Sequence, residues 1–357
     1  MKADRRVLAV PVFGEAGGGT GEVGRLLWRV FQQAWPDRSS LITLQEQGTV
    51  PPSVGRKIRF GALLALDQVR SRVHSIVFGH LGLAGVECFV PGRMRAPYGV
   101  FLHGIEAWKP LNAVARYALE HASLRVANSH ITARRLATAN PGIGAVDVCP
   151  LALPPGEHGE VAAPIYPRGS GRPMVLVVGR MAAGEGYKGH DELIDAWPHV
   201  TAAVPDAELV IVGEGDDAGR LRAKAESRAP GGGIAFPGFV DRLALEALYS
   251  RAAIFALPSR GEGFGLVYLE AMAHRLPCIG SVHDAAGEVI EHGETGLLVD
   301  LDDKDALGRA IVALLRDPAL GTAMGEAGYS RLQRHFTFDR FARDMVSLLD
   351  RSFGGRR

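Results

Sequence analysis

Short apolar runs alternate with helix-like segments twice along this chain of 357 residues. The first series begins with Val7–Phe13 and ends near Val146–Pro150. A stretch rich in proline, glycine and polar residues follows at 151–173, and a second series starts with Met174–Gly179. Near-continuous apolar strands that alternate with helices predict parallel sheets covered on both faces. The sequence therefore predicts an α/β fold with two tandem Rossmann-like, doubly wound domains facing a cleft.

Composition and charge indicate a globular protein and exclude several other classes. The chain has 47% hydrophobic and 22% charged residues, as globular proteins do. Residues 1–165 carry 18 Lys and Arg against 12 Asp and Glu, whereas the remainder carries 22 against 27. This asymmetry predicts two modules with different partners, and it is too weak to indicate nucleic acid. The three cysteines lie far apart without a CxxC pair, which excludes a disulfide scaffold and fits a reducing cytosol.

The most informative motif is residues 258–277, PSRGEGFGLVYLEAMAHRLP. A predicted strand ends before it, a glycine-rich turn follows, and a helix begins near Phe264–Leu266. Unpaired N–H groups at a helix start, together with the helix dipole, favour an anion. Glu262 in the turn and Glu270 in the helix can accept hydrogen bonds from sugar or ribose hydroxyls, since helical side chains lean towards the N-terminus. The alternative is a solvent-exposed Glu270 on an ordinary helix.

A second glycine-rich loop lies between a strand and a helix at Val178–Asp191. Arg180 stands at the strand end and Lys188 just before the helix. An arginine fork and a mobile lysine can together stabilise the charge of a departing diphosphate. The alternative is a solvated pair of cations beside a loop.

A third loop contains Gly19-x-Gly21-x-x-Gly24, the spacing of a dinucleotide fingerprint, with Glu46 after the next strand. The preceding strand ends about six residues too early for that fingerprint. The loop is therefore either a backbone floor for phosphate or sugar, or a flexible connection.

Histidines follow two predicted strands of the first half. His103 comes after the run Val100–Leu102, where ligands gather in parallel sheets, and it can hydrogen-bond a substrate hydroxyl. His80 follows another strand in the same way. A structural role is the alternative for both.

Two other segments have more than one interpretation. The acidic run 300–305 has the DxD shape of a metal site, but it precedes a helix and is typical of caps and first-turn acids. The segment Pro52–Val73 carries Arg56, Lys57 and Arg59 among leucines. It is either a helix lying on an anionic membrane surface or a domain helix with a solvated basic face.

Taken together, these motifs resemble the retaining GT-B glycosyltransferases of family 4, also called group 1. Glu262 through Glu270 matches the E-x7-E motif of that family, and the resemblance is specific over 174–300 and looser over 1–150. The supporting elements in chain order are the Gly18–Gly19 loop, His103, Ala127–Ser129, Gly179-Arg180, Lys188-Gly189, Gly238-Phe239-Val240 and Gly293–Val299.

The resemblance implies a catalytic set of His103, Arg180, Lys188 and Glu262. In that family Arg180 and Lys188 would hold the donor diphosphate. Glu262 would contact the donor sugar and His103 the transferred sugar. The implied donor-binding set adds Gly18, Gly19, Val240, Phe264, Gly265, Leu266 and Glu270. Of these, Val240 would meet the base through its backbone and Glu270 the ribose.

The resemblance also implies an organisation and a reaction. An acceptor domain would span 1–160, a nucleotide-sugar domain 161–335, and a terminal helix at 336–357 would cross back to the first domain. The expected activity is a metal-independent, retaining hexosyltransferase without a cofactor, with mannose as one candidate sugar. The expected partners are a nucleotide-sugar donor, a saccharide or lipid-linked acceptor of polysaccharide biosynthesis, and an anionic membrane at the cytoplasmic face.

Two other functions remain open at this stage. One is an NAD(P)-dependent oxidoreductase that uses the Gly19–Gly24 loop. The other is a non-catalytic GT-B partner subunit, although the presence of Arg180, Lys188, Glu262 and Glu270 argues against it.

Overall fold

The computed structural model describes residues 5–13, 18–45, 53–70, 73–154, 172–230 and 233–354. The chain divides into two compact units, each with its own sheet. The first unit comprises Met1–Ala152 and Phe338–Arg357, and the second comprises Leu153–Thr337. The predicted boundary between residues 160 and 161 lies outside the described residues.

Within the described ranges, the first unit has a sheet of six parallel strands. They are β1 (Arg5–Val12), β2 (Ser39–Gln45), β3 (Val73–Phe78), β4 (Tyr98–Leu102), β5 (Leu124–Ala127) and β6 (Asp147–Val148). Their order is β2-β1-β3-β4-β5-β6. The middle of β1 and all of β4 are buried, as their continuous apolar runs predict.

Helices cover this sheet. They are α1 (Gly18–Ala34), α2 (Val54–Arg70), α3 (Leu81–Ala84), α4 (Ala113–Glu120), α5 (His130–Ala139) and α13 (Phe338–Phe353), with short 3-10 turns at Gly85–Phe89 and Gly92–Met94. The chain-terminal helix α13 packs on α1 and buries Phe341, Met345 and Leu349. Its Arg340 donates to the backbone oxygen of Leu151 at 3.0 Å. The last helix is therefore an integral part of the first unit.

The second unit repeats the architecture with a different strand order. Its strands are β7 (Met174–Val178), β8 (Glu208–Val212), β9 (Ile234–Gly238), β10 (Ile254–Ala256), β11 (Cys278–Ser281) and β12 (Gly296–Val299). They are all parallel, in the order β12-β11-β10-β7-β8-β9. Its helices are α6 (His190–Ala203), α7 (Ala218–Arg228), α8 (Arg242–Arg251), α9 (Leu266–Ala273), α10 (Ala286–Val289), α11 (Ala306–Arg316) and α12 (Pro318–His335), with a 3-10 segment at Ala183–Lys188.

The structure differs from the sequence expectation at two helices. The apolar stripe of Leu26, Leu27, Val30 and Phe31 predicts a helix over Gly24–Ala34, whereas α1 begins six residues earlier, at Gly18. Helix α12 was not predicted, because its glycines suggested turns. In the structure these glycines allow close packing instead: a Cβ at Gly325 would come within 2.0 Å of the backbone oxygen of Arg275.

Candidate active site

The strand order of the second unit places two loops at the middle of the sheet edge. β7 and β10 are neighbours, and the order of the strands reverses between them. In doubly wound sheets the connections after such a pair leave a ligand-binding crevice. The loop after β7 carries Arg180 and Lys188, and the turn after β10 carries Glu262. The fold therefore brings the predicted cations and the predicted carboxylate to the same part of the second unit.

These two segments pack directly on each other. The N–H of Arg260 donates to the backbone oxygen of Tyr187 at 2.8 Å. A Cβ at Gly261 would come within 2.6 Å of the Tyr187 ring. Gly189 has a φ of +82°, and a Cβ there would come within 2.2 Å of the backbone oxygen of Pro258. Both positions therefore require glycine, and their close contacts fix the end of the loop against the turn.

Lys188 and Glu262 form an ion pair across this contact, with 3.1 Å between Nζ and Oε2. Their side chains are only 16% and 20% exposed. Burial is the largest single influence on the pKa of Lys188 and lowers it. The charge and hydrogen bond of Glu262, together with Tyr187 and Glu185, more than offset this, so the pKa lies above its ordinary value. Lys188 is therefore a fixed cation at the crevice.

Arg180 has a different partner. Its guanidinium pairs with Glu185 of the same loop. The Arg180 side chain is 67% exposed, whereas that of Glu185 is 15% exposed. Oε2 of Glu185 is buried, and no described residue hydrogen-bonds to it. Because the Arg180 guanidinium is mostly exposed, its ion pair with Glu185 contributes little stability, and Arg180 can exchange it for a ligand.

Helix α9 starts at the end of the Glu262 turn. Gly265 has a φ of +89°, and a Cβ there would come within 2.5 Å of the Tyr268 ring. No side chain of the described residues caps this helix start. The N–H groups around Gly265 and Leu266 therefore suit an anion. Phe264 is buried against Phe336, with ring centroids 5.8 Å apart, so only its backbone is available to a ligand.

Asp284, just after β11, is a site residue that the sequence analysis missed. It is 1% exposed. Its two carboxylate oxygens accept hydrogen bonds from the N–H groups of Glu262 and Ala286, each at 2.9 Å. Burial raises the pKa of Asp284 to about 7 despite these donors. The only sequence signal was an acidic residue shortly after a predicted strand, which ordinary capping residues share.

Glu270 is not the solvent-exposed residue of the alternative interpretation. It is half-buried on α9, and the hydroxyl of Tyr249 donates to its Oε2 at 2.7 Å. Tyr249 lies on α8 and is 1% exposed. This contact holds the Glu270 carboxylate in place.

Val240 lies beyond the end of β9, two strands away from β7. Gly238 precedes it with a φ of +80°, and its backbone oxygen accepts from the N–H of Gly213 at 3.0 Å. Val240 is half-buried and the neighbouring Phe239 is 71% exposed. The structure thus places Val240 on the same sheet edge as Lys188 but without contact to it among the described interactions.

In the first unit, Gly18 and Gly19 are exposed at the start of α1. Gly18 has a φ of +55°, and a Cβ at either glycine would meet nothing within 4 Å. All the fingerprint glycines lie inside α1 rather than in the loop before it, and Gly24 packs on β1. This geometry does not favour a dinucleotide fingerprint. Residues 14–17 and Glu46 lie outside the described part of the chain.

His103 lies directly after β4 and is half-buried. Its Nε2 is 2.6 Å from the backbone oxygen of Gly79, and its ring stacks on His80. The N–H of His103 donates to Glu106 at 2.6 Å, and Asn128 donates to its backbone oxygen at 2.7 Å. His103 is therefore held firmly at the ligand-binding edge of its sheet.

The acidic run behaves mainly as turn caps. Asp300 accepts from the N–H of Asp302 at 2.9 Å, and Asp303 accepts from that of Asp305 at 3.0 Å. Of the described residues, only His283, Asp300 and Asp302 group their potential ligand atoms closely enough for a cation. Arg260 already pairs with Asp302 at 2.8 Å.

The sequence comparisons agree with these motifs. Residues 172–317, less than half of the chain, match the family described as Glycosyl transferases group 1. A GDP-mannose-dependent alpha-(1-6)-phosphatidylinositol monomannoside mannosyltransferase of Mycolicibacterium smegmatis is 33% identical over 66% of this chain and 64% of that protein. A GDP-mannose-dependent monoacylated alpha-(1-6)-phosphatidylinositol monomannoside mannosyltransferase of Corynebacterium glutamicum is 35% identical over 45% of this chain and 44% of that protein. The chain thus spans less than two thirds of the length of these relatives.

Solved structures share the fold. Sucrose-phosphate synthase from Thermosynechococcus elongatus superimposes with a TM-score of 0.82 at 20% identity, covering 99% of this chain and 100% of that one. Anabaena HepE in complex with UDP and glucose gives 0.77 at 17% identity, covering 97% and 99%. Together with the two parallel sheets, these likenesses confirm the predicted fold class. The family match and the mannosyltransferase relatives confirm the predicted resemblance.

Proposed function

We propose that this chain, a GT-B protein resembling the group 1 glycosyltransferases, moves a sugar from a nucleotide-diphosphate donor to an acceptor hydroxyl. The observation that carries the proposal is the Lys188–Glu262 pair, held beside the uncapped start of α9. A cation next to unpaired backbone N–H groups suits a diphosphate. Because the named relatives depend on GDP-mannose, mannose is the first sugar to test.

In this proposal the second unit neutralises the diphosphate. Lys188 and Arg180 bind its oxygens, Arg180 after leaving Glu185, and the N–H groups of Phe264, Gly265 and Leu266 add further donors. Negative charge grows on the phosphate oxygen as the bond to the sugar breaks. Fixed donors stabilise that charge without reorganising, which lowers the barrier.

The remaining groups bind hydroxyls and the base. Once Lys188 binds the donor phosphate, the Glu262 carboxylate is available to accept hydrogen bonds from the donor sugar. Glu270, held by Tyr249, accepts from the ribose, and the backbone at Val240 meets the base. In the first unit, His103 accepts a hydrogen bond from the transferred sugar, while Gly18 and Gly19 offer backbone N–H groups to the donor.

We further propose that transfer retains the anomeric configuration and proceeds without a metal or cofactor. Lys188 and Arg180 supply the positive charge that a divalent cation supplies in other phosphate sites. The departing phosphate would take the proton of the acceptor hydroxyl. Proton NMR of the first product anomer tests retention, and full activity after EDTA treatment tests metal independence.

The central experiment is a donor hydrolysis screen over nucleotide sugars without acceptor. Wild type is compared with Glu262→Ala and Lys188→Ala. Lys224→Ala is the matched control, because Lys224 pairs with Asp191 and Asp195 on α6. A donor that all four proteins hydrolyse equally well would contradict the assignment of the site.

We also propose a peripheral position at the cytoplasmic membrane face, with a lipid-linked acceptor. No described helix is long and apolar enough to cross a membrane. Helix α2 buries Phe60 and Leu64 against its unit. It exposes Ile58 (67%), Leu63 (50%) and Leu66 (44%) together with the basic residues Arg56, Lys57 and Arg59. Apolar and basic groups on one exposed surface suit an anionic bilayer.

Vesicle flotation tests this membrane contact. Replacing Arg56, Lys57 and Arg59 by glutamine should abolish binding to phosphatidylglycerol vesicles at low salt. The control replaces the exposed Arg228, Arg242 and Arg251 of the second unit, which removes the same charge elsewhere. Equal flotation of the α2 variant and wild type would remove this part of the proposal.

A further inference from the structure

His80 and His103 stand side by side because their strands do. β3 and β4 are parallel neighbours, with Phe78 paired to Val100. Each histidine follows the end of its strand. Their ring centroids are 5.5 Å apart, and the ring planes differ by 27°. The two imidazoles therefore form a stacked pair at the ligand-binding edge of the first sheet.

Each ring is tied to the backbone through one nitrogen. The N–H of Gly82 donates to Nδ1 of His80 at 2.9 Å, so that nitrogen carries no proton. Nε2 of His103 is 2.6 Å from the carbonyl oxygen of Gly79. A carbonyl can only accept, so Nε2 of His103 carries the proton. In the neutral ring, Nδ1 of His103 is then a hydrogen-bond acceptor, and no described residue donates a hydrogen bond to it.

We infer that His80 is a positioning residue, whose stacked ring keeps Nδ1 of His103 available to accept a hydrogen bond from a hydroxyl of the transferred sugar. This inference rests on the role of His103 in the proposed function. His80 acts through His103 and does not itself touch the sugar.

The surroundings of His80 keep its own ring uncharged. A proton on Nδ1 of His80 would break its bond to Gly82. Burial, and to a smaller extent the neighbouring His103, lower the pKa of His80 to about 4, although Glu106 acts in the opposite direction. Phe101 also contacts His103 in a T-shaped arrangement, with 5.4 Å between the ring centroids. Both rings that contact His103 therefore carry no charge at neutral pH.

Two variants separate the ring of His80 from its helix-capping nitrogen. His80→Asn keeps an acceptor for the N–H of Gly82 but removes the stacked ring, since asparagine is a good N-cap. His80→Phe keeps a ring but removes the acceptor. Asn112→Ala is the matched control, because Asn112 caps α4 through the N–H of Ala115 at 2.9 Å and forms no described hydrogen bond with either histidine.

The primary readout is the two-bond proton–nitrogen NMR spectrum of protein labelled with ¹⁵N-histidine. At pH 7 the wild type should show His103 protonated on Nε2 alone. His80→Asn should give a mixture of His103 tautomers and a kcat lower by on the order of ten-fold, with an unchanged donor KM. His80→Phe should restore the His103 spectrum and most of kcat despite a lower Tm.

Two results would overturn the inference. One is a wild-type His103 spectrum in His80→Asn. The other is a loss of kcat that follows Tm equally in His80→Asn, His80→Phe and Asn112→Ala. The NMR spectrum reports the tautomer of His103 whether or not sugar transfer is detected. Failure of wild type to use any nucleotide sugar would instead contradict the proposed function.

Discussion

The carboxyl edges of the two sheets differ in charge and in construction. In the second unit, Lys188, Glu262 and the buried Asp284 are linked by ion pairs and hydrogen bonds, and the loops that carry them interlock. In the first unit the edge presents exposed glycines and the stacked His80–His103 pair, which forms no ion pair among the described residues. We call the edge of the second unit the charged edge and that of the first unit the neutral edge.

Strand order explains part of this difference. In the first sheet the order reverses between β1 and β3, and in the second between β7 and β10. The second arrangement leaves β8 and β9 beyond β7 on the same side. Their ends, including Val240, extend the edge away from the Lys188–Glu262 pair. The nucleotide-diphosphate donor of the proposed function would extend along this edge.

The largest expected effect tests the charged edge. Lys188→Ala should lower kcat/KM for the donor by roughly 10²- to 10³-fold, because a fixed donor to the leaving phosphate is lost. The variant should also depend less on ionic strength than wild type, since salt screens a charge that it no longer has. Steady-state donor hydrolysis at low and high salt measures both effects.

The neutral edge supplies the contrast to that experiment. His103→Ala should lower kcat but keep the salt dependence of wild type. If His103→Ala and Lys188→Ala change the salt dependence equally, the division into a charged and a neutral edge is wrong.

The next effect tests the interlocked loops. Gly189→Ala forces a Cβ into the backbone oxygen of Pro258 at a positive φ, so the loop must move. We expect kcat/KM to fall by about ten-fold or more, because Lys188 shifts from Glu262. Gly184→Ala in the same loop is the control, since a Cβ there meets nothing within 4 Å. Equal activity of the two variants would show that the packing does not position Lys188.

Much of the second unit could be predicted because its motifs are local. The glycine-rich turn and the start of α9 at Leu266 follow from neighbouring residues, and so does the placement of Lys188 before α6. Asp284 could not be predicted, because its role depends on β11 lying next to β10. The partner of Arg180 was also beyond sequence reasoning, since spacing alone cannot decide between Glu185 and Glu262.

The first unit shows a different limit. The stripe of apolar residues predicted α1, but its start at Gly18 depends on a backbone conformation that glycine merely permits. The stacking of His80 on His103 required the pairing of β3 with β4. The glycines of α12 suggest turns in the sequence, but in the structure they allow close helix packing.

A smaller effect concerns pH and the support of the Glu262 turn. The ionised Asp284 accepts the N–H of Glu262, and its pKa is raised to about 7. Donor kcat/KM of wild type should therefore fall several-fold as pH drops from 8 to 6. Asp284→Asn should be less active than wild type at every pH in this range, and its kcat/KM should not fall between pH 8 and pH 6. If kcat/KM of the variant falls as it does in wild type, another group causes the pH dependence.

Stability should change in the opposite direction with pH. The folded protein binds the Asp284 proton more tightly than the unfolded chain does. The resulting stabilisation is complete below about pH 4 and is lost as pH rises through about 7. Urea unfolding at pH 5.5 and 8.5 should therefore show a larger loss of stability with pH in wild type than in Asp284→Asn.

The smallest effect concerns the exposed cation of the charged edge. Glu185 competes with the donor for Arg180, and exposed ion pairs are weak, so Glu185→Gln should lower the donor KM by about two- to five-fold. Glu294→Gln, at an exposed position of the same unit, is the control. A higher donor KM in Glu185→Gln, similar to that of Arg180→Ala, would mean that Glu185 orients Arg180 for the phosphate. The charged edge would then be preorganised as a whole, rather than assembled when the donor replaces one of its ion pairs.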